Sequence, residues 1–152
     1  GFDLHQFVND RDLILGGIKI PHSKGLLGHS DADVLTHAVM DALLSGASLR
    51  DIGYYFSDTD DKYKGISSMI LLDKVKQMIT AKKLKPIHLS IVVMAQKPKL
   101  SPYIPTIIEN LAKALEISKE SIAINATTLE GIGVVGREEG IAVSCYALLG
   151  EI

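Results

Sequence analysis

Residues 87–95 read IHLSIVVMA. Isoleucine, valine and leucine dominate the run, and β-branched side chains favour an extended backbone. A strand this apolar is buried on both faces, so it needs a covering layer on each side. Working outward, apolar spacing predicts a helix upstream at SSMILLDKVKQMITAKK (67–83), with residues 70, 71, 75 and 78–79 on one face. Downstream, YIPTIIENLAKALE (103–116) reads as a helix, because Pro105 is tolerated in a first turn. SIAINATT (121–128) alternates as a strand, and GIAVSCYALL (140–149) is a last strand. This order argues an α/β (α+β) sandwich: one mixed β-sheet with helices on one face. Nothing further in the chain covers the other face, so a second copy is expected there and the protein is expected to be a homo-oligomer.

The N-terminal third adds three elements. GFDLH (1–5) alternates at period two, with Phe2 and Leu4 facing one way and Asp3 and His5 the other. LILGGIKIP (13–21) reads as two short strands around Gly16-Gly17. SDADVLTHAVMDALLSGA (30–47) reads as a helix, with Ser30 as its cap, Asp33 in the capping-box position and Gly46 near its end.

The bulk properties bound the answer. A chain of 152 residues, 47% hydrophobic, suits one domain over 1–152. A formal net charge of -2 gives no general field for nucleic acid or an anionic membrane, and neither is expected as a partner. The single cysteine, Cys145, excludes an internal disulfide and a cysteine-based zinc site, and it lies in an apolar run that predicts a buried, inert thiol. No apolar stretch is long enough to span a membrane, and no leader pattern is visible. Gly1 already lies inside a patterned segment, so residues preceding it are expected.

Several groups are candidates for chemistry, each beside an ordinary alternative. Asp3 and His5 either meet water at a loose terminus or share a cation. Asp33, His37 and Asp41 form a stripe along the first helix. It is either a solvated face or a source of ligands. Two histidines and one aspartate would leave a fourth position open, as a catalytic zinc site requires, with Asp33 or Asp41 orienting His37. His29 stands at the helix entrance, where anions are favoured, or is a plain loop histidine. RDIGYYFSDTDDKYKG (50–65) fails as a calcium loop, since Lys62 and Tyr63 stand at the fifth and sixth positions from Asp58. It is either a solvated loop or a lid whose Asp51 and Asp58 accept hydrogen bonds from sugar hydroxyls. GIGVVG (131–136) matches a dinucleotide fingerprint by letter, but a strand follows it, so it is expected to shape a turn. Glu130 beside Thr127 and Thr128 suits a hard cation, and Arg137 suits an anion; each is equally a turn residue or a surface ion pair. No Ser–His–Asp set is legible, so covalent attack on a substrate is not expected.

Together, GFDLH, LGGIKIP, KGLLGHSDADVLTHAVMDALL, DIGYYFSDTDDKYKG, AQKPKLSPYIP, NATTLEGIG and GREEGIA resemble, in order and spacing, the 2-C-methyl-D-erythritol 2,4-cyclodiphosphate synthase family over nearly the whole chain. The resemblance implies that Asp3, His5 and His37 hold zinc, one ion per subunit. It implies His29 and Thr128 as the catalytic pair that stabilises the transition state. Asp3, Leu4, His5, His29 and Ser30 would contact substrate around the metal, and Asp51, Ile52 and Gly53 would meet the ribose and erythritol. Phe56, Ser57, Asp58, Thr59 and Asp60 would form a mobile loop over the methylerythritol. Ala95, Gln96, Lys97, Pro98, Lys99, Leu100 and Ser101 would form the cytosine pocket, completed by Thr127, Thr128, Leu129 and Glu130. Glu130 would also hold a second divalent ion, magnesium or manganese, at the substrate diphosphate.

Family members are homotrimers with active sites between subunits, which implies the same packing for the open sheet face. Val134, where the family commonly has Phe, and Arg137 would line a central cavity suited to an isoprenoid diphosphate. The implied substrate is 4-diphosphocytidyl-2-C-methyl-D-erythritol 2-phosphate, whose own 2-phosphate displaces CMP in the non-mevalonate isoprenoid pathway. The implied enzyme is a metal-dependent phosphorus–oxygen lyase in bacterial cytoplasm or a plastid-type stroma.

Overall fold

The computed structural model describes residues 1–152. Its strands are β1 (Phe2–Val8), β2 (Leu13–Leu15), β3 (Ile18–Ile20), β4 (Gly25–Leu26), β5 (Leu84–Met94), β6 (Ile122–Thr127) and β7 (Gly140–Glu151). Its helices are α1 (Val34–Gly46), α2 (Ile52–Tyr55), α3 (Ser68–Ala81), α4 (Ile104–Leu115) and α5 (Gly133–Gly136). The main sheet has the order β4-β1-β7-β5-β6. β5 and β6 are parallel, joined by α4, whereas the other pairings are antiparallel. The sheet is therefore mixed, as the sequence predicts.

The run that decides the fold lies in β5, between β7 and β6. Leu89, Ile91 and Val93 point to the helices and are at most 2% exposed. Ile91 and Val93 pair with Cys145 and Val143 of β7 on the same buried side. The strand begins at Leu84 rather than Ile87, and it admits Pro86 because the register slips between Pro86 and His88. α1 packs against β1 and β7 and is buried almost all round, since α3 lies along it as well. One core of buried apolar residues joins the sheet and the helices.

The opposite face carries Phe2 and Leu4 of β1 with Tyr146 and Leu148 of β7, exposed by 61%, 46%, 75% and 60%. This is the uncovered apolar face that the pattern of the strands demands.

Three local details differ from expectation. The predicted α3 stripe included Ile70, but Ile70 is exposed and Leu72 is fully buried, so the buried face runs through 71, 72, 75 and 79. The polar segment 50–65 is not all loop: α2 forms at its start and a 3-10 turn at Asp61–Tyr63. GIGVVG does separate two strands, but it holds one helical turn, α5, instead of a bare turn. No helix is long and apolar enough to cross a membrane.

Candidate metal centre and adjoining cavities

The site begins with the alternation of β1. Leu4 points to the open face, so Asp3 and His5 project together toward α1. His37 meets them from α1, whose first turn is fixed by Asp33. Asp33 is fully buried and accepts from Thr36 N (3.0 Å), Thr36 Oγ1 (2.8 Å), Gly16 N (2.9 Å) and Gly17 N (2.7 Å). Gly16 and Gly17 reach it because the hairpin turn puts both at positive φ, +58° and +74°. Burial pushes the Asp33 carboxyl up, against the pull of the N–H groups of Thr36 and Gly17. Asp33, not Ser30, is therefore the helix cap. Ala32 turns the backbone through φ +58° just before it and leaves Ser30 outside the helix, its hydroxyl 3.2 Å from His37 Nε2.

Three ligating atoms converge. His5 Nε2 lies 2.8 Å from Asp3 Oδ2, His37 Nδ1 lies 3.1 Å from the same oxygen, and the two nitrogens are 3.3 Å apart. All fall within 4.8 Å of one another. His5 Nδ1 donates to the Leu27 carbonyl at 2.5 Å, which leaves Nε2 as a lone pair aimed inward. Zinc bound to two imidazoles at the usual distance spaces the nitrogens by roughly 3.3–3.4 Å in a tetrahedron. The donor set and its spacing fit that ion. A proton can occupy part of the cluster instead. Burial pushes His5 down, but the Asp3 hydrogen bond and charge lift it above the ordinary imidazole value. Burial likewise pushes Asp3 up, yet hydrogen bonds from His37 and His5 hold its carboxyl well below the usual range.

Neither Asp33 nor Asp41 orients His37, contrary to expectation. Asp33 is spent on the cap, and Asp41 accepts from Ile52 N at 2.8 Å, tying α2 to α1. Ser68 takes that place, with Oγ 3.0 Å from His37 Nε2. In the sequence, Ser67-Ser68 signals only a helix start, and Ser67 does cap α3. A second residue missed by pattern is Arg11, which donates to Gly28 O (2.7 Å) and Ser30 O (2.8 Å) and so clamps the loop around His29. A lone arginine in a polar turn gives no pattern to detect.

A cavity of about 300 Å³ opens beside the cluster. It joins His5, His29, Ser30 and His37 to Ile52, Gly53, Phe56 and Asp58, all expected site residues. His29 Nε2 donates to the Asp60 carbonyl at 2.8 Å, so Nδ1 is the ring nitrogen left for a ligand. Asp60 contributes its backbone here, because its side chain pairs with Lys62 at 2.9 Å. Ser57 and Thr59 hydrogen-bond each other at 2.8 Å at the tip of that loop. Asp51 precedes α2, outside the cavity lining.

A second cavity, about 420 Å³, is lined by 95–101 with Ala126, Thr127 and Thr128. Gln96 Oε1 accepts from Gly131 N at 3.2 Å and links that pocket to the turn bearing Leu129 and Glu130. Within one chain this pocket and the metal cluster are separate. Val134 and Arg137 line a third cavity of about 660 Å³ with Leu4, Gln6 and Lys24. Arg137 Nε donates to Glu139 at 2.8 Å. Cys145 is buried among the core strands, and burial pushes its thiol up to about 12, as an inert cysteine requires.

Residues 1–150 match the model of the YgbB family. A Clostridium perfringens protein named 2-C-methyl-D-erythritol 2,4-cyclodiphosphate synthase is 52% identical over 149 residues, 98% of this chain and 96% of that one. The solved bifunctional IspDF of Campylobacter jejuni superposes with a TM-score of 0.96 and 40% identity; all of this chain is covered, and it spans 41% of that longer one. A solved 2C-methyl-D-erythritol-2,4-cyclodiphosphate synthase in its CDP-bound form gives a TM-score of 0.90 at 32% identity, over 99% of this chain and 97% of that one.

Proposed function

The chain belongs to the YgbB family, and on that premise we propose that it is an enzyme acting as a 2-C-methyl-D-erythritol 2,4-cyclodiphosphate synthase. The substrate is 4-diphosphocytidyl-2-C-methyl-D-erythritol 2-phosphate. An oxygen of its 2-phosphate forms a bond to the β-phosphorus. The bond from that phosphorus to the CMP oxygen breaks, and CMP leaves with the electron pair. The nucleophile belongs to the substrate, which accords with a chain whose only thiol is buried.

The observation that carries the reading is the convergence of Asp3, His5 and His37 at the mouth of a cavity bearing His29, Ser30 and Asp58. Zinc held by those three residues would supply a Lewis acid for the phosphate oxygens. Ser30 and His29 hold the reacting phosphates beside the cluster, and Thr128 stabilises the transition state with His29. Asp58, with Phe56 to Asp60, orients the methylerythritol under a closing loop, and Asp51 to Gly53 meet the ribose and erythritol. Residues 95–101 and 127–130 hold the cytidine end, a placement supported by the CDP bound in a relative and by the separate cavity they line. Glu130 would hold magnesium or manganese, which would supply charge neutralisation for the diphosphate. Bringing the two ends together accounts for roughly 7–11 kcal/mol of barrier reduction in favourable intramolecular cases.

In this reading the active site forms between subunits of a homotrimer packed through the open sheet face, which is supported by the separation of the two cavities within one chain. Val134 and Arg137 then line a central cavity for an isoprenoid diphosphate. One synthase domain fills the chain, a reading supported by its single core. The bacterial source of the relative supports a bacterial setting.

Mass spectrometry of the products tests the proposal, after incubation with the substrate, zinc and magnesium. CMP with a cyclic diphosphate is expected. CMP with a product heavier by one water would make the protein a hydrolase, and absence of CMP would exclude both activities.

A further inference from the structure

His37 has two nitrogens, and only one faces the ligand cluster; what decides which of them carries the proton lies behind the ring. Ser68 Oγ is buried and 2.5 Å from Asp31 Oδ1, while Ser68 N donates to Asp31 Oδ2 at 3.1 Å. Asp31 is held in place in turn, since its own N–H donates to the Ile66 carbonyl at 3.0 Å. An ionised carboxylate only accepts, so the Ser68 hydroxyl proton lies on the Asp31 side. What Ser68 then offers His37 Nε2, 3.0 Å away, is a lone pair. Ser30 Oγ, at 3.2 Å, is a second neighbour of the same nitrogen. The proton of a neutral His37 belongs on Nε2, and Nδ1 presents its lone pair to Asp3 and His5.

We propose that Asp31 and Ser68 form a positioning pair that fixes the tautomer and rotation of His37, and so sets the affinity of the Asp3–His5–His37 cluster for a divalent metal. The inference rests on the reading that this cluster holds such an ion. It joins two elements distant in sequence: the loop before α1 supplies Asp31, and the first residue of α3 supplies Ser68. Groups behind metal-bound histidines commonly alter affinity by about 10- to 100-fold when removed.

Three variants test this: Ser68→Ala, Ser68→Thr and Asp31→Asn. Zinc affinity is measured by competition with a chromophoric chelator, and the His37 ring is followed in the zinc-loaded protein by histidine 1H–15N spectra. Wild type is expected to show an Nε2–H on His37 that exchanges slowly with water. Ser68→Ala should weaken zinc about 10- to 100-fold and speed that exchange. Ser68→Thr, which keeps the hydroxyl, should restore both readouts. Asp31→Asn is nearly isosteric, but its amide NH2 can donate to Ser68 Oγ and turn the hydroxyl proton toward His37; affinity should fall although the shape is kept.

Circular dichroism separates these effects from unfolding, and Asp31→Asn covers the case in which Ser68→Ala does not fold. Wild-type zinc binding with affinities within twofold in both Ser68→Ala and Asp31→Asn would overturn the positioning pair alone. Weakened binding with an unchanged His37 Nε2–H would also overturn it, since the tautomer would not be under its control. A wild-type protein that binds no zinc would overturn the metal reading together with the proposal.

Discussion

His37 and Asp33 stand one turn apart on α1, both buried and both polar, and their neighbours give them unrelated duties. His37 lends one nitrogen to the cluster. Replacing it by alanine removes one of three protein ligands and leaves Asp3 and His5 too few to hold zinc tightly. His37→Ala is expected to lose bound zinc and turnover together, checked by metal analysis of the dialysed protein beside a CMP-release assay. Asp33 binds nothing in the cavity; it holds α1 to the β2–β3 turn. Asp33→Ala leaves Gly16 N–H and Gly17 N–H without that acceptor and removes the cap of α1. Loss of a cap costs about 0.5–2 kcal/mol, and each buried donor left unpaired costs about 1–3 kcal/mol. Urea unfolding of Asp33→Ala is expected to reveal a loss of at least about 2 kcal/mol, with the slope unchanged. In the sequence these two residues look alike, as members of one stripe. Periodicity tells that they share a helix face, but not that Asp33 faces a turn and His37 a strand.

Elements with a strong period were legible, and elements made by a few polar contacts were not. β1, the Gly16-Gly17 hairpin, β5, β6 and β7 follow from alternation and turn residues, because burying one face selects every second side chain. α1 is capped three residues later than the sequence predicts, at Asp33 instead of Ser30, because the φ of Ala32 is a tertiary choice that no local propensity encodes. The stripe of α3 shifted from Ile70 to Leu72 because α1 and β5 determine which flank is covered. α2 was hidden inside a polar segment, since what holds its start is one carboxylate, Asp41, from another helix. The residues behind His37 escaped for the same reason: Asp31 and Ser68 meet only in three dimensions. The segment after α2 carries the next prediction. Phe56 stacks edge-on against Tyr63 with centroids 5.5 Å apart, which anchors the loop at one end, while Asp58 faces the cavity. Asp58→Ala touches none of the three metal ligands. It is expected to retain zinc while kcat/KM falls at least about tenfold, the effect of losing a contact worth about 1.4 kcal/mol in the transition state. Unchanged kinetics would remove Asp58 from the site.

For the whole molecule, the open face of the sheet and the divided cavities are the two features on which the proposed assembly rests. Phe2, Leu4, Tyr146 and Leu148 form neighbouring exposed positions on β1 and β7, and monomers rarely leave large apolar side chains grouped in this way. The Asp3–His5–His37 cluster opens into one cavity and residues 95–101 line another, so the proposed substrate, with a cytidine at one end and a phosphate at the other, would need both. Side chains on the two faces of β1 point to separate surroundings: Asp3 and His5 join His37 on the helix side, and Phe2 and Leu4 lie on the open face. A change on the outer face should therefore leave the metal ligands intact. Tyr146→Glu combined with Leu148→Lys places charges where subunits would meet, and burying unpaired charges opposes association by several kcal/mol. Sedimentation velocity is expected to find a trimer for wild type and a monomer for the double variant. The monomer should still bind zinc, because Asp3, His5 and His37 belong to one chain. It should nevertheless lose turnover, because on the proposed reading each chain supplies only half of the groups that meet the substrate. A monomeric double variant with full activity would mean that one chain suffices, and the division of the site between subunits would have to be abandoned.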